Sequence, residues 1–327
     1  MKILEKIRET AKQFSRIEEA ENEIKENMQF IKETEMKFMQ KEEELKTLVN
    51  DLRQDMWNQH IYKAPMPSPL VEVHITEHCN LNCRMCSHFS PLAPETYLSL
   101  EEYTSDISRL KELYQNDLFH LRILGGEPLL HPHLLQFLKE TRKILDHTRI
   151  ELLTNGLLLL KRGGVEDGFW DCMRENNIYL MITRYPVQAD YNAIAEKAAA
   201  EKVKLRYTED TENTVKSLHK LPLDLEGQQN IGRNFYLCFH ANGCVQLSHG
   251  KLYTCPVAAN ARFFREYFGA DMNLSEKDGI DIYKAQSAEE ISRFLASPIP
   301  FCRYCRIEER SYGHEWGISK RDISEWT

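Results

Sequence analysis

The chain carries three closely spaced cysteines, with three and then two residues between them: Cys79, Cys83 and Cys86. They follow an apolar run over 70–76 that predicts a β-strand, so the thiols are expected in the loop after that strand. Three thiolates at this spacing can hold three irons of a [4Fe–4S] cube and leave the fourth iron open to a small molecule. The competing interpretation is a structural zinc site, with His78 or His88 as its fourth ligand.

A second group of five cysteines lies near the C-terminus: Cys238, Cys244, Cys255, Cys302 and Cys305. The last two form a CxxC pair, and four thiolates ending in such a pair suit either an iron–sulfur cluster or a zinc knuckle. Either Cys238 or Cys244 can supply the first ligand. The remaining cysteine, Cys172, stands alone in a predicted helix and is expected to be a buried structural residue.

Strand and helix patterns alternate between residues 70 and 207. Strands are predicted over 70–76, 120–124, 149–154, 178–183 and 203–207, and helices over 99–114, 133–145, 165–175 and 191–202. Such βα repetition predicts a parallel sheet, and right-handed crossovers curl it into a full or partial barrel. The active site of a βα barrel lies at the carboxyl ends of its strands, which is where the cysteine triplet is expected. A sixth strand is expected within 213–236.

The regions that flank this repeat differ in composition. Residues 1–55 contain neither Gly nor Pro, and apolar residues recur every seven positions from Ile17 to Leu52, which predicts a long helix. The predicted parts of this α/β protein are a helical extension over 1–63, a proline-rich linker over 64–69, a partial (β/α)6 TIM-like barrel over 70–236 and a small C-terminal iron–sulfur domain over 237–327.

Composition narrows the class of protein. The formal net charge is -8 and no long basic run occurs, which argues against a nucleic-acid partner. The chain begins with charged residues, and no stretch of about 18 apolar residues occurs, so neither a signal peptide nor a membrane span is expected. Cysteines without a secretory signal then indicate a reducing compartment, and we expect a cytoplasmic protein.

The segment CNLNCRMC after the first strand resembles the signature of the radical S-adenosylmethionine (SAM) superfamily. Segments similar to other motifs of that superfamily end the next strands: GGEP at 125–128, LTNG at 153–156 and TRYP at 183–186. The resemblance implies contacts with SAM from these strand ends, by Gly125, Gly126, Glu127, Asn155 and Arg184. Met85 stands where the superfamily usually has an aromatic residue against adenine, which implies weaker stacking there.

The same resemblance implies an activity. The three clustered cysteines would hold a [4Fe–4S] cluster that cleaves SAM to a 5′-deoxyadenosyl radical, and this radical abstracts a hydrogen atom from a substrate. An electron donor such as flavodoxin or ferredoxin is then an expected partner. Arg184 is a candidate for the SAM carboxylate or for an anionic substrate, and it is carried forward as a candidate catalytic residue.

The C-terminal cysteines resemble the short auxiliary-cluster (twitch) module of the superfamily, with a spacing similar to that of aminocyclitol dehydrogenases from butirosin-type pathways. This implies a second [4Fe–4S] cluster, held by Cys238, Cys255, Cys302 and Cys305. Cys238 is preferred as first ligand because its distance from Gly250 fits the module.

A cluster ligated by four protein thiolates can only exchange electrons, which favours an oxidoreductase that dehydrogenates a small polar substrate, with a carbohydrate or aminocyclitol preferred. Epimerisation remains open and would need a hydrogen donor, for which Cys244 and Cys172 are the candidates, although Cys172 is expected to be structural. Two further alternatives are a radical SAM peptide maturase and a non-catalytic zinc-bearing scaffold. The N-terminal helix is a candidate surface for homo-oligomer formation.

Overall fold

The computed structural model describes residues 20, 22–25, 27–46, 63–208 and 215–327. The chain divides into two compact units, Met1–Gln59 and His60–Thr327. In the first unit residues 27–46 are helical, in agreement with the helix predicted there. Four members of the predicted apolar stripe are exposed: Ile24, Ile31, Phe38 and Leu45. Ile17 and Leu52 of the same stripe lie outside the described residues.

The second unit contains one large sheet. The strands of this unit are β1 (Leu70–His74), β2 (His120–Leu124), β3 (Arg149–Thr154), β4 (Tyr179–Ile182), β5 (Leu205–Tyr207), β6 (Leu218–Lys220), β7 (Val245–Ser248), β8 (Lys251–Tyr253), β9 (Gly279–Asp281) and β10 (Ser311–His314). Eight of them form a sheet in the order β5-β4-β3-β2-β1-β7-β8-β9. Neighbours from β5 through β7 are parallel, and β8 and β9 are antiparallel additions. The predicted α/β fold with a parallel, partial TIM-like sheet is confirmed.

Seven α-helices accompany this sheet in the described residues of the second unit. They are α1 (Leu100–Leu113), α2 (Leu134–Ile144), α3 (Phe169–Glu175), α4 (Tyr191–Ala200), α5 (Ile231–Leu237), α6 (Pro256–Phe268) and α7 (Ala288–Leu295). The predicted cap of α1 is present, because Ser99 Oγ accepts a hydrogen bond from the Glu102 amide at 3.1 Å. Within the described parts of the chain, no helix combines the length and apolarity that a membrane span requires.

Alternation along β1 separates an apolar face from a polar face. Val71 and Val73 belong to the main hydrophobic core with the helices, so the intervening Glu72 and His74 point to the opposite, interior face. There Arg122 of β2 forms ion pairs with Glu72 at 2.9 Å and with Glu151 of β3 at 2.9 Å. Burial alone would raise the pKa of Glu151, but hydrogen bonding to His120 and the charge of Arg122 lower it to about 2. The interior of the sheet therefore has a polar, ion-paired floor.

Two elements differ from the sequence-based expectation. The strand within the predicted 213–236 region is β6, which pairs antiparallel with β10 instead of joining the large sheet. Its place beside β1 is taken by β7, where Val245 and Leu247 pair with Val71 and Val73 and extend the apolar face. The predicted helix over 165–175 begins only after Gly168, whose φ of 84° is left-handed and cannot continue a right-handed helix.

Candidate active site and cysteine centres

The loop that carries the first three cysteines is held to the GGEP segment by backbone hydrogen bonds. Gly126 N donates to Thr76 O at 2.8 Å, and Glu127 N donates to His78 O at 3.0 Å. A Cβ added at Gly125 would lie 2.1 Å from Thr76 O, and one at Gly126 would lie 2.1 Å from His78 O. Only glycine permits this approach, so the two predicted glycines fix the path of the cysteine loop.

Glu127 joins three of the predicted motifs. Its buried carboxylate accepts hydrogen bonds from Thr154 Oγ1 at 2.6 Å and from the Asn155 amide at 2.9 Å. Asn155 Nδ2 in turn donates to Asn80 Oδ1 in the cysteine loop at 2.7 Å. Burial raises the pKa of Glu127 to about 7, although these hydrogen bonds act to lower it. The ends of β2 and β3 and the cysteine loop therefore form one connected site.

The three thiols of this loop are electrostatic neighbours. Burial raises the pKa of Cys79 above its usual range, and the nearby Cys86 and Cys83 thiols raise it further. Burial also raises the pKa of Cys83 to about 11, with Cys86 again contributing. Deprotonating Cys79 and Cys83 without a cation is unfavourable, so as thiolates they require positive charge nearby. A soft-metal centre such as an iron–sulfur cluster fits this donor set.

The last residues of the chain contact this loop, which sequence analysis did not anticipate. Trp316 Nε1 donates to Cys83 Sγ at 3.1 Å, and Trp326 Nε1 donates to Cys86 O at 3.0 Å. The backbone pairs as well, since the Arg84 amide donates to Gly317 O at 2.9 Å. The sequence signal for this contact was the presence of two tryptophans, which are large and apolar, among the polar residues near the C-terminus. Met85, the predicted adenine contact, has a φ of 58°, a strained conformation for a non-glycine residue within the loop.

Arg184 and Tyr185 follow β4 at the same edge of the sheet. The buried Arg184 guanidinium lies over the Tyr207 ring, 4.3 Å from its centroid. The Tyr185 ring lies 6.5 Å from that of Trp316. Burial raises the pKa of Tyr185 well above its usual value, and the Cys83 thiol raises it further. The fourth strand end therefore also reaches the cysteine loop.

A second set of thiols converges elsewhere in the unit: Cys238, Cys255, Cys302 and Cys305. Cys238 ends α5, Cys255 caps the start of α6, and Cys302 lies in the 3-10 turn Pro300–Tyr304. Burial raises the pKa of Cys305 well above its usual value, and the other three thiols raise it further. Four mutually repelling thiols again require a metal or cluster to be stable as thiolates. Among the described residues, no three His, Cys, Asp or Glu side chains approach closely enough to chelate a single ion.

Cys244 and Cys172 lie outside this second set of cysteines, each in its own environment. Burial raises the pKa of Cys244 to about 12, the charge of Glu72 raises it further, and Arg122 opposes this effect. Cys244 thus lies beside the ion pairs of the interior face. Of the two candidate first ligands, Cys238 is the one that lies close to Cys255, Cys302 and Cys305. Cys172 is buried within α3, as the sequence predicted.

A histidine–carboxylate pair on the interior face was missed in the sequence. His74 Nδ1 lies 2.9 Å from Glu77 Oε2, and Glu77 Oε1 accepts from Arg262 Nη2 at 3.1 Å. His74 Nε2 is buried without a hydrogen-bond partner, and the ring contacts His88 edge-on with centroids 4.8 Å apart. A cavity of about 470 Å³ reaches His74 and Glu77 from beside α1. The pair therefore presents an imidazole whose Nδ1 is oriented by a carboxylate and whose Nε2 has no hydrogen-bond partner.

Comparisons with known proteins agree with this geometry. Among curated proteins the chain is similar to a GTP 3',8-cyclase of Petrotoga mobilis, with 34% identity over 101 residues that make up 29% of this chain and 31% of the relative. It is also similar to molybdenum cofactor biosynthesis protein 1 of Bos taurus, with 29% identity over 93 residues, 28% of this chain and 14% of that protein. The match thus spans less than a third of either relative.

Among solved structures, BtrN in complex with AdoMet and 2-DOIA is 18% identical, with a TM-score of 0.46 over 73% of this chain and 93% of that one. The family model described as the Radical SAM superfamily matches residues 73–181, a segment that runs from the end of β1 through the cysteine loop, β2 and β3 into β4. Residues 73–181, about a third of the chain, therefore form a radical SAM domain.

Proposed function

We propose that this protein is a radical SAM oxidoreductase that dehydrogenates a small polar substrate. In the proposal Cys79, Cys83 and Cys86 hold a [4Fe–4S] cluster, and SAM binds against the ends of β2, β3 and β4. When bound, the cluster and SAM would together supply a 5′-deoxyadenosyl radical that can remove a hydrogen atom from a substrate carbon. The chain's own residues bind and orient these groups and exclude water.

Different residues at the strand ends are proposed to contact different groups of SAM. Glu127 offers a carboxylate for the methionyl amino group, and Gly125 and Gly126 permit the backbone to approach it. Asn155 is fixed at 2.7 Å to Asn80 of the cysteine loop, which keeps that loop beside the end of β3. Arg184 contributes a cation for a carboxylate, and Met85 offers a polarizable surface for adenine.

The second set of four thiols is the observation that favours dehydrogenation over other radical reactions. When all ligands of a cluster are protein thiolates, no iron is open for substrate and the cluster can only transfer electrons. Its chemistry when bound would be to accept one electron from the substrate radical. Cys244 lies outside this set, beside Glu72 and Arg122, and remains the candidate hydrogen donor should the reaction be an epimerisation.

His74 is the group best suited to take the proton that a dehydrogenation releases. Removal of a hydrogen atom and an electron from a carbinol leaves the hydroxyl proton, which needs an acceptor. His74 Nε2 faces the interior without a partner, while Glu77, itself paired with Arg262, orients the ring through Nδ1. The ion-paired interior floor is polar, in keeping with a hydroxylated substrate such as a carbohydrate or aminocyclitol.

The function is tested with the anaerobically reconstituted protein, SAM and a low-potential reductant. A panel of sugars, aminocyclitols, GTP and short peptides is added, and 5′-deoxyadenosine and substrate mass are followed. We expect a sugar or aminocyclitol to couple 5′-deoxyadenosine formation to a product that has lost two hydrogen atoms. An isobaric product with deuterium taken from solvent would identify an epimerase, a crosslinked peptide a maturase, and turnover of GTP alone a cyclase; each would overturn the dehydrogenase proposal.

A further inference from the structure

Lys63, which precedes the proline-rich linker, reaches the second set of cysteines. Its ammonium donates to the backbone carbonyl of Cys238 and to that of Ala241, the latter at 2.6 Å. It also lies over the Phe235 ring, 5.0 Å from the centroid. The side chain is thus held against the segment that supplies the first cysteine of the set, although Lys63 is 175 residues from it in sequence.

Burial lowers the pKa of Lys63, and the groups that oppose this shift are thiols and not carboxylates. The thiols of Cys238, Cys255 and Cys302 lie within electrostatic range of the ammonium. In the part of the chain that the structure describes, no Asp or Glu forms an ion pair with Lys63. Removing an ammonium from water without a counter-charge is costly, so negative charge on these cysteines would stabilise the ammonium. Four thiolates around an iron–sulfur core would supply that charge.

The backbone on the C-terminal side of Lys63 is anchored to the same unit. Asn242 Nδ2 donates to Ala64 O at 3.0 Å, and Ser292 Oγ donates to Met66 O. The Phe119 amide donates to Ser68 Oγ at 2.8 Å. These bonds hold the start of the linker in place, so the ammonium is presented to the thiols from a fixed position.

We propose that Lys63 is a positioning residue that raises the reduction potential of the cluster held by Cys238, Cys255, Cys302 and Cys305. The inference rests on the proposed function, because it requires a redox-active cluster at that site. Reduction adds one negative charge to the cluster, so a fixed cation nearby stabilises the reduced form more than the oxidised form. A higher potential favours electron transfer from the substrate radical, which is the task assigned to this cluster.

The test is the midpoint potential of each cluster in the full-length holoenzyme, measured by EPR-monitored titration. Addition of SAM identifies the first cluster, because only its signal should change, and the other signal belongs to the second. We expect Lys63→Met to lower the midpoint potential of the second cluster by about 59 mV. For a one-electron couple this shift corresponds to a tenfold smaller equilibrium constant for reduction. Lys63→Arg should keep most of the original potential.

Lys220→Met is the matched control, because Lys220 Nζ also donates to a backbone carbonyl, that of Ser324 at 2.8 Å, and not to that of a cysteine. It should leave both midpoints unchanged. A purely structural role for Lys63 would lower iron content or thermal stability without moving the potential. If Lys63→Met retains about eight irons per chain and an unchanged midpoint, the inference is wrong. If the wild type binds only four irons or binds zinc, the proposed second cluster itself fails.

Discussion

Trp316 Nε1 donates a hydrogen bond to Cys83 Sγ across 3.1 Å, so the C-terminal segment touches the sulfur of a proposed cluster ligand. Hydrogen bonds to a charged acceptor contribute about 1.5–3 kcal/mol, and this one stabilises the thiolate and the reduced cluster. Trp316→Phe should therefore lower the midpoint potential of the SAM-responsive cluster, as read by EPR titration. Trp326→Phe is the control, because its indole bonds the Cys86 carbonyl instead of a thiol. Equal shifts in both variants would contradict the assignment.

Iron content separates the two candidate first ligands of the second cluster. Cys238 lies among Cys255, Cys302 and Cys305, whereas Cys244 lies beside Glu72 and Arg122. We expect the iron content to fall from about eight to about four irons per chain in Cys238→Ala. In Cys244→Ala it should stay at about eight. Iron and sulfide analysis after anaerobic reconstitution measures this. The reverse pattern would exchange the roles of the two cysteines.

Glu127 should make SAM binding depend on pH. Burial raises the pKa of Glu127 to about 7, so the carboxyl is largely protonated below that pH and ionised above it. Only the ionised form accepts fully from the SAM amino group, so the Kd for SAM should fall as pH rises from 6 towards 7 and level off above it, by up to about tenfold per pH unit. Equilibrium binding at several pH values measures the slope.

Glu127→Gln provides the control for that slope. Gln keeps an oxygen for Thr154 Oγ1 but presents a donor to the Asn155 amide, so SAM binding should weaken at every pH. The variant has no ionisable group at this position, so the wild-type slope near pH 7 should disappear. A slope that persists in the variant would show that another group titrates.

His74→Gln should separate the two halves of the proposed reaction. Hydrogen abstraction does not require the imidazole, so deuterium from a labelled substrate should still appear in 5′-deoxyadenosine. Formation of the oxidised product should fall by roughly 100-fold, because the proton acceptor is lost. His249→Gln is the control, since His249 is an exposed histidine that also pairs with a carboxylate, Glu102. Unchanged product formation in His74→Gln would remove His74 from the mechanism.

Local sequence spacing predicted the features that depend on neighbouring residues. The strand bounds of β3 and the Ser99 cap follow from periodicity and capping. The glycines at 125 and 126 were expected from the resemblance to the GGEP motif, and the structure shows the close backbone approach that they permit. Contacts between distant segments carried no such signal. Cys83 and Trp316 are 233 residues apart, and the β7 strand joins β1 only because their apolar residues continue one core.

The interior histidine pair was missed for a related reason. His74 and Glu77 are three residues apart where a strand passes into a loop. That spacing does not predict contact between the two side chains, because the contact depends on the path of the loop backbone. The position of Lys63 depends on a linker whose prolines indicated only an extended chain. In both cases the functional contact arises from tertiary packing.

The most direct test of the central claim is the anaerobic EPR spectrum of the reconstituted, reduced protein before and after SAM is added. An iron coordinated by only three protein thiolates should give a [4Fe–4S] signal that changes when SAM binds, and 5′-deoxyadenosine should then appear. In Cys83→Ala the SAM-responsive signal should be absent. A wild-type protein that shows no cubane signal, or one indifferent to SAM, would contradict the account.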